Sequence, residues 1–316
     1  MAKHGWFRNA GEYALAWPIL KAVEWLPLPA ARRLSAAVLR LTYYLTPHWR
    51  RVAGRNLEMA LPELSGRRRG EIIRGVYDSL GRVLLSLARM PRIHAANVRE
   101  WIDYDGFEHF EQALREGKGV LFMTAHLGNW ELSAASHALF GHPMHVMVRT
   151  LDNPFLDRLV DRHRTLCGNR TIRKQDFGRP LLQALRDNEA VGILIDQNVS
   201  GEGGLFVDFF GIPASATEGL AKIAMRTGAP VIPGFALWNP SKQRYVLKFY
   251  PVLEMVSTGD AERDLLSNTQ RCQSVLEGVI REHPEQWLWI HRRWKTRPAG
   301  EPSLYGDRSP GSPAGA

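Results

Sequence analysis

The residues of this chain best placed to do chemistry are His126 and Glu131, in the stretch Thr124-Ala125-His126-Leu127-Gly128-Asn129-Trp130-Glu131. The stretch follows the apolar run Gly119-Val-Leu-Phe-Met123, which reads as a buried β-strand. A neutral imidazole can take a proton from a hydroxyl, and a carboxylate beside it can hold its tautomer and stabilise the imidazolium. His126 is therefore a candidate general base and Glu131 the group expected to orient it. No serine or cysteine nucleophile is needed if a bound hydroxyl itself attacks an acyl carbonyl. On a continuous α-helix the two side chains would lie about 140° apart. Gly128-Asn129 removes that obstacle if His126 lies in a loop and Asn129 caps the following helix. Glu131 then falls in the first turn, where a carboxylate is favoured by the helix dipole. With 11 histidines and 32 acidic residues in 316 positions, about one chance match to this spacing is expected. The preceding strand is what adds weight to it.

The elements that must position this stretch are legible downstream of residue 100. Helices are expected over 107–117, 130–140, 154–166, 178–187, 215–227 and 260–282, and a Gly-rich loop over 200–204. Strands are expected over 119–124, 145–149, 170–173, 190–195, 230–238 and 245–250. Strands alternating with helices predict an α/β fold with a mixed, largely parallel central sheet flanked by helices, and an antiparallel pair within 230–250. Residues 71–90 have the apolar spacing of a core helix.

Ahead of that domain lie two apolar but interrupted segments. Pro18, Lys21 and Glu24 break up residues 12–29, and Arg32, Arg33 and Arg40 break up 30–45, so neither reads as a membrane span. Both read as amphipathic helices for a membrane surface, with Trp17 and Trp25 at the headgroups, or else as cover for the core. Arg50, Arg51 and Arg55, then Arg67, Arg68 and Arg69, form two basic clusters. They suit phosphates of lipid headgroups or of an acidic carrier protein, or are solvated helix ends. The expected division is 1–48 membrane-associating helices, 49–296 catalytic domain and 297–316 a disordered tail rich in Pro, Gly and Ser.

The net charge of +9 and pI near 9.8 admit nucleic acid, an anionic membrane or an acidic partner. Zinc-finger spacing, an RRM signature, a P-loop, a G-x-S-x-G elbow and a complete G-x-G-x-x-G are all absent from the sequence. Cys167 and Cys272 form no CxxC pair and read as free thiols. No metal or cofactor is expected, because His and carboxylates show no ligand spacing. No secretory signal peptide is expected either.

Further blocks follow the His126 stretch in order. They are Arg149-Thr-Leu-Asp-Asn153-Pro154 with Asp157-Arg158, Arg164-Thr-Leu-Cys-Gly168, Asp196-Gln197, and Phe209-Phe210-Gly211-Ile-Pro213 with Ala216-Thr217. The last runs from His283-Pro284-Glu285-Gln286-Trp287 through Trp289 and His291-Arg292-Arg293-Trp294. Over residues 50–296 the chain resembles the bacterial lipid A biosynthesis acyltransferases, within the HxxxxD/E acyltransferases. The resemblance implies transfer of a fatty acyl chain from acyl carrier protein to a hydroxyl of a phosphorylated glycolipid, at the cytoplasmic face of a bacterial inner membrane. It implies roles at the substrate for Arg149, Asn153, Arg164, Asp196 and Asn129. Arg149 and Arg164 would clamp a phosphate or polarise the thioester carbonyl. Asp196 would position Arg164 or the acceptor hydroxyl. The Phe209-Phe210-Gly211 segment suits an acyl channel or a core loop, and Trp287, Trp289 and Trp294 suit a bilayer contact or the sheet. The same chemistry would also serve a phosphatidylinositol mannoside, an ornithine lipid or a lysophospholipid. A non-catalytic basic protein that binds lipid or nucleic acid is the alternative of another class, although no nucleic-acid partner is expected.

Overall fold

The structure is a computed structural model; it describes residues 5–306 apart from 176 and 202–203. Four helices come first: α1 (Trp6–Trp25), α2 (Leu28–Leu45), α3 (Pro47–Ala60) and α4 (Gly66–Arg89). Then follow β1 (Ile102–Asp105), α5 (Phe107–Leu114), β2 (Val120–Thr124), α6 (Trp130–Leu139), β3 (Met144–Val148), α7 (Pro154–Thr165), β4 (Arg170–Arg173), α8 (Gly178–Arg186) and β5 (Ala190–Leu194). A hairpin of β6 (Gly204–Phe209) and β7 (Ile212–Thr217) leads to α9 (Gly219–Thr227), β8 (Val231–Asn239), β9 (Arg244–Phe249) and α10 (Ala261–Glu282).

Seven strands form one sheet in the order β1-β9-β8-β2-β5-β3-β4. Every neighbouring pair is parallel except β8–β9, which is antiparallel. The mixed, largely parallel sheet and the antiparallel pair at 230–250 are thus as expected. Helices cover both faces. Alternate β2 side chains point to opposite sides, as the pleat requires. Leu121 and Met123 join a core with α3, α4, α8, α9, α10 and the C-terminal tryptophans, while Val120 and Phe122 join one with α5 and α6.

Three expectations change, and one open choice closes. Residues 215–217 belong to β7 rather than to a helix, because they pair with 204–206 across the hairpin. Its two-residue loop is Phe210-Gly211, both at positive φ (60° and 75°), the geometry of a type I′ turn. Phe209 and Phe210 are buried against Trp287, Trp289 and Trp294. These rings are core, neither an acyl channel nor a bilayer contact. α1 runs straight through Pro18, and its apolar side chains are not gathered on one face: Asn9 and Glu24 are buried while Trp6, Phe7, Leu15 and Trp17 are exposed. Residues 297–306 are tied in: Arg297 donates to the Pro213 carbonyl at 2.6 Å, and Tyr305 Oη donates to Asn56 Oδ1 at 2.6 Å. The rest of the expected tail, 307–316, and part of the expected Gly-rich loop lie outside the described residues. No described helix is long and apolar enough to cross a membrane.

Candidate active site

The site sits beyond the C-terminal ends of β2 and β5, where parallel strands leave a crevice for ligands. The β2–β5 register places Thr124 opposite Leu194, so the residues two further on, His126 and Asp196, emerge side by side. The loop that carries His126 is held on both sides. Gly128 N–H donates to the Gln286 carbonyl (3.0 Å), Asn129 N–H to the Ala236 carbonyl (2.9 Å) and Leu288 N–H to the His126 carbonyl (3.0 Å). Gly128 has φ +66°, and a Cβ there would lie 1.9 Å from the Ala236 carbonyl oxygen. Only glycine fits this close approach.

Asp196 is the carboxylate that reaches the histidine. Its Oδ1 lies 3.0 Å from His126 Nδ1; its Oδ2 accepts from the His126 amide at 3.0 Å and from the Trp287 indole at 2.9 Å. Burial pushes the Asp196 carboxyl up, but the His126 ring and these hydrogen bonds outweigh it and hold the group at about 2. An ionised carboxylate only accepts, so Nδ1 donates to it, and in the neutral ring that tautomer leaves the lone pair on Nε2. Trp130 meets the ring edge-on at 4.9 Å between centroids, and Gln197 Nε2 stands 3.5 Å from His126 Nε2.

Glu131, expected to orient the histidine, is engaged elsewhere. Its Oε2 accepts from Arg164 Nε at 2.9 Å and its Oε1 from Arg164 Nη2 at 2.5 Å, with the Trp130 indole at 3.2 Å. This is a bidentate, mostly buried ion pair. α7 delivers Arg164 because Arg173 of β4 anchors that helix through Asp157 at 2.9 Å. Burial opposes the Arg164 charge; the Glu131 carboxylate outweighs it, and the guanidinium stays more firmly protonated than usual.

His126, Trp130, Glu131, Arg149 and Arg164 line one cavity of about 490 Å³. Arg149, 68 % exposed, marks its mouth. The inner end is enclosed by Phe122, His137, Met144, Gly192, Gly234 and Phe249. It exists partly because Gly192 lacks a side chain: a Cβ there would come within 2.8 Å of the Met144 methyl. His137 is almost fully buried, and burial, then His142, depresses it to about 3, so it adds no charge to the apolar end.

The structure brings His126, Glu131, Arg149, Arg164 and Asp196 together and leaves two expected residues out. Asn129 is fully buried; it caps α6 through Leu132 N–H (3.0 Å) and donates to Ser86 Oγ (2.8 Å). Asn153 caps α7 and donates to the Asn9 carbonyl and Glu12, tying α1 to the domain. Asp196 grips His126 rather than Arg164. Gln197 and Trp287 were not singled out as site residues, although both lie inside quoted blocks.

A histidine held by a buried acid thus opens onto a cavity with a charged mouth and a largely apolar inner end. The model of the bacterial lipid A biosynthesis acyltransferase family matches residues 5–296, and the chain belongs to that family. It is an acyltransferase. The lauroyltransferase of lipid A biosynthesis from Escherichia coli K12 is 27 % identical over 297 residues, covering 93 % of this chain and 95 % of that protein. The palmitoleoyltransferase from the same strain is 28 % identical over 298 residues, with the same coverage. The myristoyltransferase is 25 % identical over 256 residues, 81 % of this chain and 78 % of that one.

Proposed function

We propose that the chain moves a fatty acyl group from an acyl carrier protein thioester to a hydroxyl of a lipid A precursor, with His126 as general base. The observation that carries this is the His126–Asp196 contact of 3.0 Å, which leaves Nε2 as a proton acceptor in the cavity. The acceptor oxygen gives its proton to Nε2 as it attacks the thioester carbonyl. The C–S bond of the tetrahedral intermediate then breaks, and the imidazolium returns the proton to the leaving thiolate. The apolar end of the cavity holds the acyl chain. Asp196 keeps the ring in place and stabilises the imidazolium, the part first given to Glu131. The Glu131–Arg164 pair then serves as a fixed polar wall, where Arg164 faces either the thioester carbonyl or the acceptor. Arg149 at the mouth suits a phosphate of the glycolipid.

A basic protein of net charge +9 would draw both an acidic carrier and a phosphorylated acceptor. Trp6, Trp17 and Trp25, all exposed, suit work at a membrane surface, peripherally bound at the cytoplasmic face. The test is acyl transfer from the loaded carrier to a lipid A precursor, read by mass spectrometry. Folded His126→Ala should lose about a thousandfold or more in rate; full activity would overturn the proposal. Binding of the carrier should weaken as salt rises.

A further inference from the structure

A second, smaller cleft lies outside the acyl site. It measures about 220 Å³ and shares no lining residue with the larger cavity. One wall is a single stripe of α3. His48, Arg51, Val52 and Arg55 stand at positions i, i+3, i+4 and i+7, the spacing that puts side chains on one helix face. Opposite them are Arg292 and Tyr305, with the Arg292 guanidinium 5.7 Å from the tyrosine ring centre.

The two walls are locked together from beneath. Buried Asn56 donates from Nδ2 to the carbonyls of Trp289 and His291, each at 2.7 Å, and accepts from Tyr305 Oη at 2.6 Å. Arg55 is oriented by the Leu304 carbonyl (3.0 Å) and Glu58 (3.0 Å). Arg51 and His48 are exposed, and among the described residues nothing engages either in a hydrogen bond or ion pair. Three guanidinium groups thus converge on a preformed cleft. Planar forks of this kind match phosphate oxygens in charge and geometry.

The cleft's surroundings say where such a phosphate comes from. Leu41, Tyr44 and Leu45 at the end of α2 and Trp49 at the start of α3 are exposed, by 58 %, 60 %, 70 % and 42 %. These four lie on the stretch of chain that leads into the α3 wall of the cleft, and a free phosphate ion has no use for apolar surface beside its site. A phospholipid supplies both halves, a phosphodiester for the arginines and hydrocarbon for the exposed apolar side chains.

We propose that this cleft binds the phosphate headgroup of a membrane phospholipid and fixes how the enzyme sits on the bilayer, apart from the acyl site. The proposal rests on the reading that the enzyme works at a lipid surface, but its test needs no turnover. Flotation with vesicles of phosphatidylcholine containing phosphatidylglycerol, free of glycolipid, measures partition of the full chain. Arg51→Glu should weaken it about tenfold or more. Lys118→Glu makes the same charge change beside the N-terminal end of β2, away from His126, and should weaken it far less. Replacing Leu45 and Trp49 together by serine should also weaken partition, and His126→Ala should leave it unchanged. Equal losses from Arg51→Glu and Lys118→Glu would reduce the effect to net charge and overturn the proposal. Loss with Arg51→Glu but none with the serine pair would take the hydrocarbon contact out of the binding and overturn it too. Circular dichroism confirms that each variant is folded.

Discussion

Two carboxylates lie near His126, the proposed base, and they differ in what they hold. Asp196 comes from the end of β5, 70 residues away in sequence, and holds both the ring and the amide of His126. Glu131 is five residues away, yet its two oxygens are taken by Arg164. The difference is set by strand pairing. Parallel strands in register bring equivalent positions past their ends together, whatever their separation along the chain. The first turn of α6 instead points its acid towards α7. An imidazole needs a partner that does not move, and Asp196 is fixed by Trp287 from behind. Glu131 instead holds a guanidinium that lines the cavity.

The comparison can be broken in order of expected effect. Asp196→Asn should cost about 10³–10⁴ in rate, the scale seen when an orienting carboxylate in a catalytic triad becomes an amide. Measured with saturating donor, that loss should appear in kcat. Glu131→Gln should cost less, about 10–100-fold, because it leaves His126 held but strips the counter-charge from a mostly buried arginine. A larger loss for Glu131→Gln than for Asp196→Asn would reverse the assignment. Gly192→Val should shift acyl preference to shorter chains, since a Cβ there meets the Met144 methyl at 2.8 Å and the crowded side chains must take volume from the cavity that both residues line; competition among acyl donors, read by mass spectrometry, checks this. One extra methylene is worth about 1–3 kcal/mol of discrimination.

The smallest effect is on stability. The Asp196 carboxyl is held at about 2, below its ordinary 3.8, so its contribution is present above pH 4 and is lost as pH falls through about 2. That amounts to about 2 kcal/mol. Denaturant unfolding between pH 4 and 2 should show this slope in the wild type and a flatter one in Asp196→Asn.

How much of this was legible in the sequence follows from the range of each signal. β2, the glycine break and α6 were readable because an apolar run, Gly128 and a capping asparagine are local. The sheet was readable from alternation. The partner of His126 was not, because it depends on the register Thr124↔Leu194, a pairing no local pattern encodes. Asn129 caps α6 as its position before the helix suggests, and is not also a substrate contact; Asn153 is expected only as a substrate contact although it precedes a helix in an Asn-Pro pair, a local signal for the cap it forms. The β6–β7 hairpin was hidden by small residues in β7, yet Phe210-Gly211 marks its turn. Tyr305 was lost in a Pro/Gly/Ser-rich stretch whose composition outweighed one anchoring phenol.

The central claim is that Asp196 fixes the tautomer of His126 and leaves Nε2 bare in the cavity. Nitrogen-15 NMR of the labelled histidine ring at neutral pH measures this directly. The account predicts a protonated Nδ1 and an unprotonated Nε2 in the wild type and in Glu131→Gln, with that preference lost in Asp196→Asn. A ring protonated at Nε2 in the wild type, or one indifferent to Asp196→Asn, would contradict it.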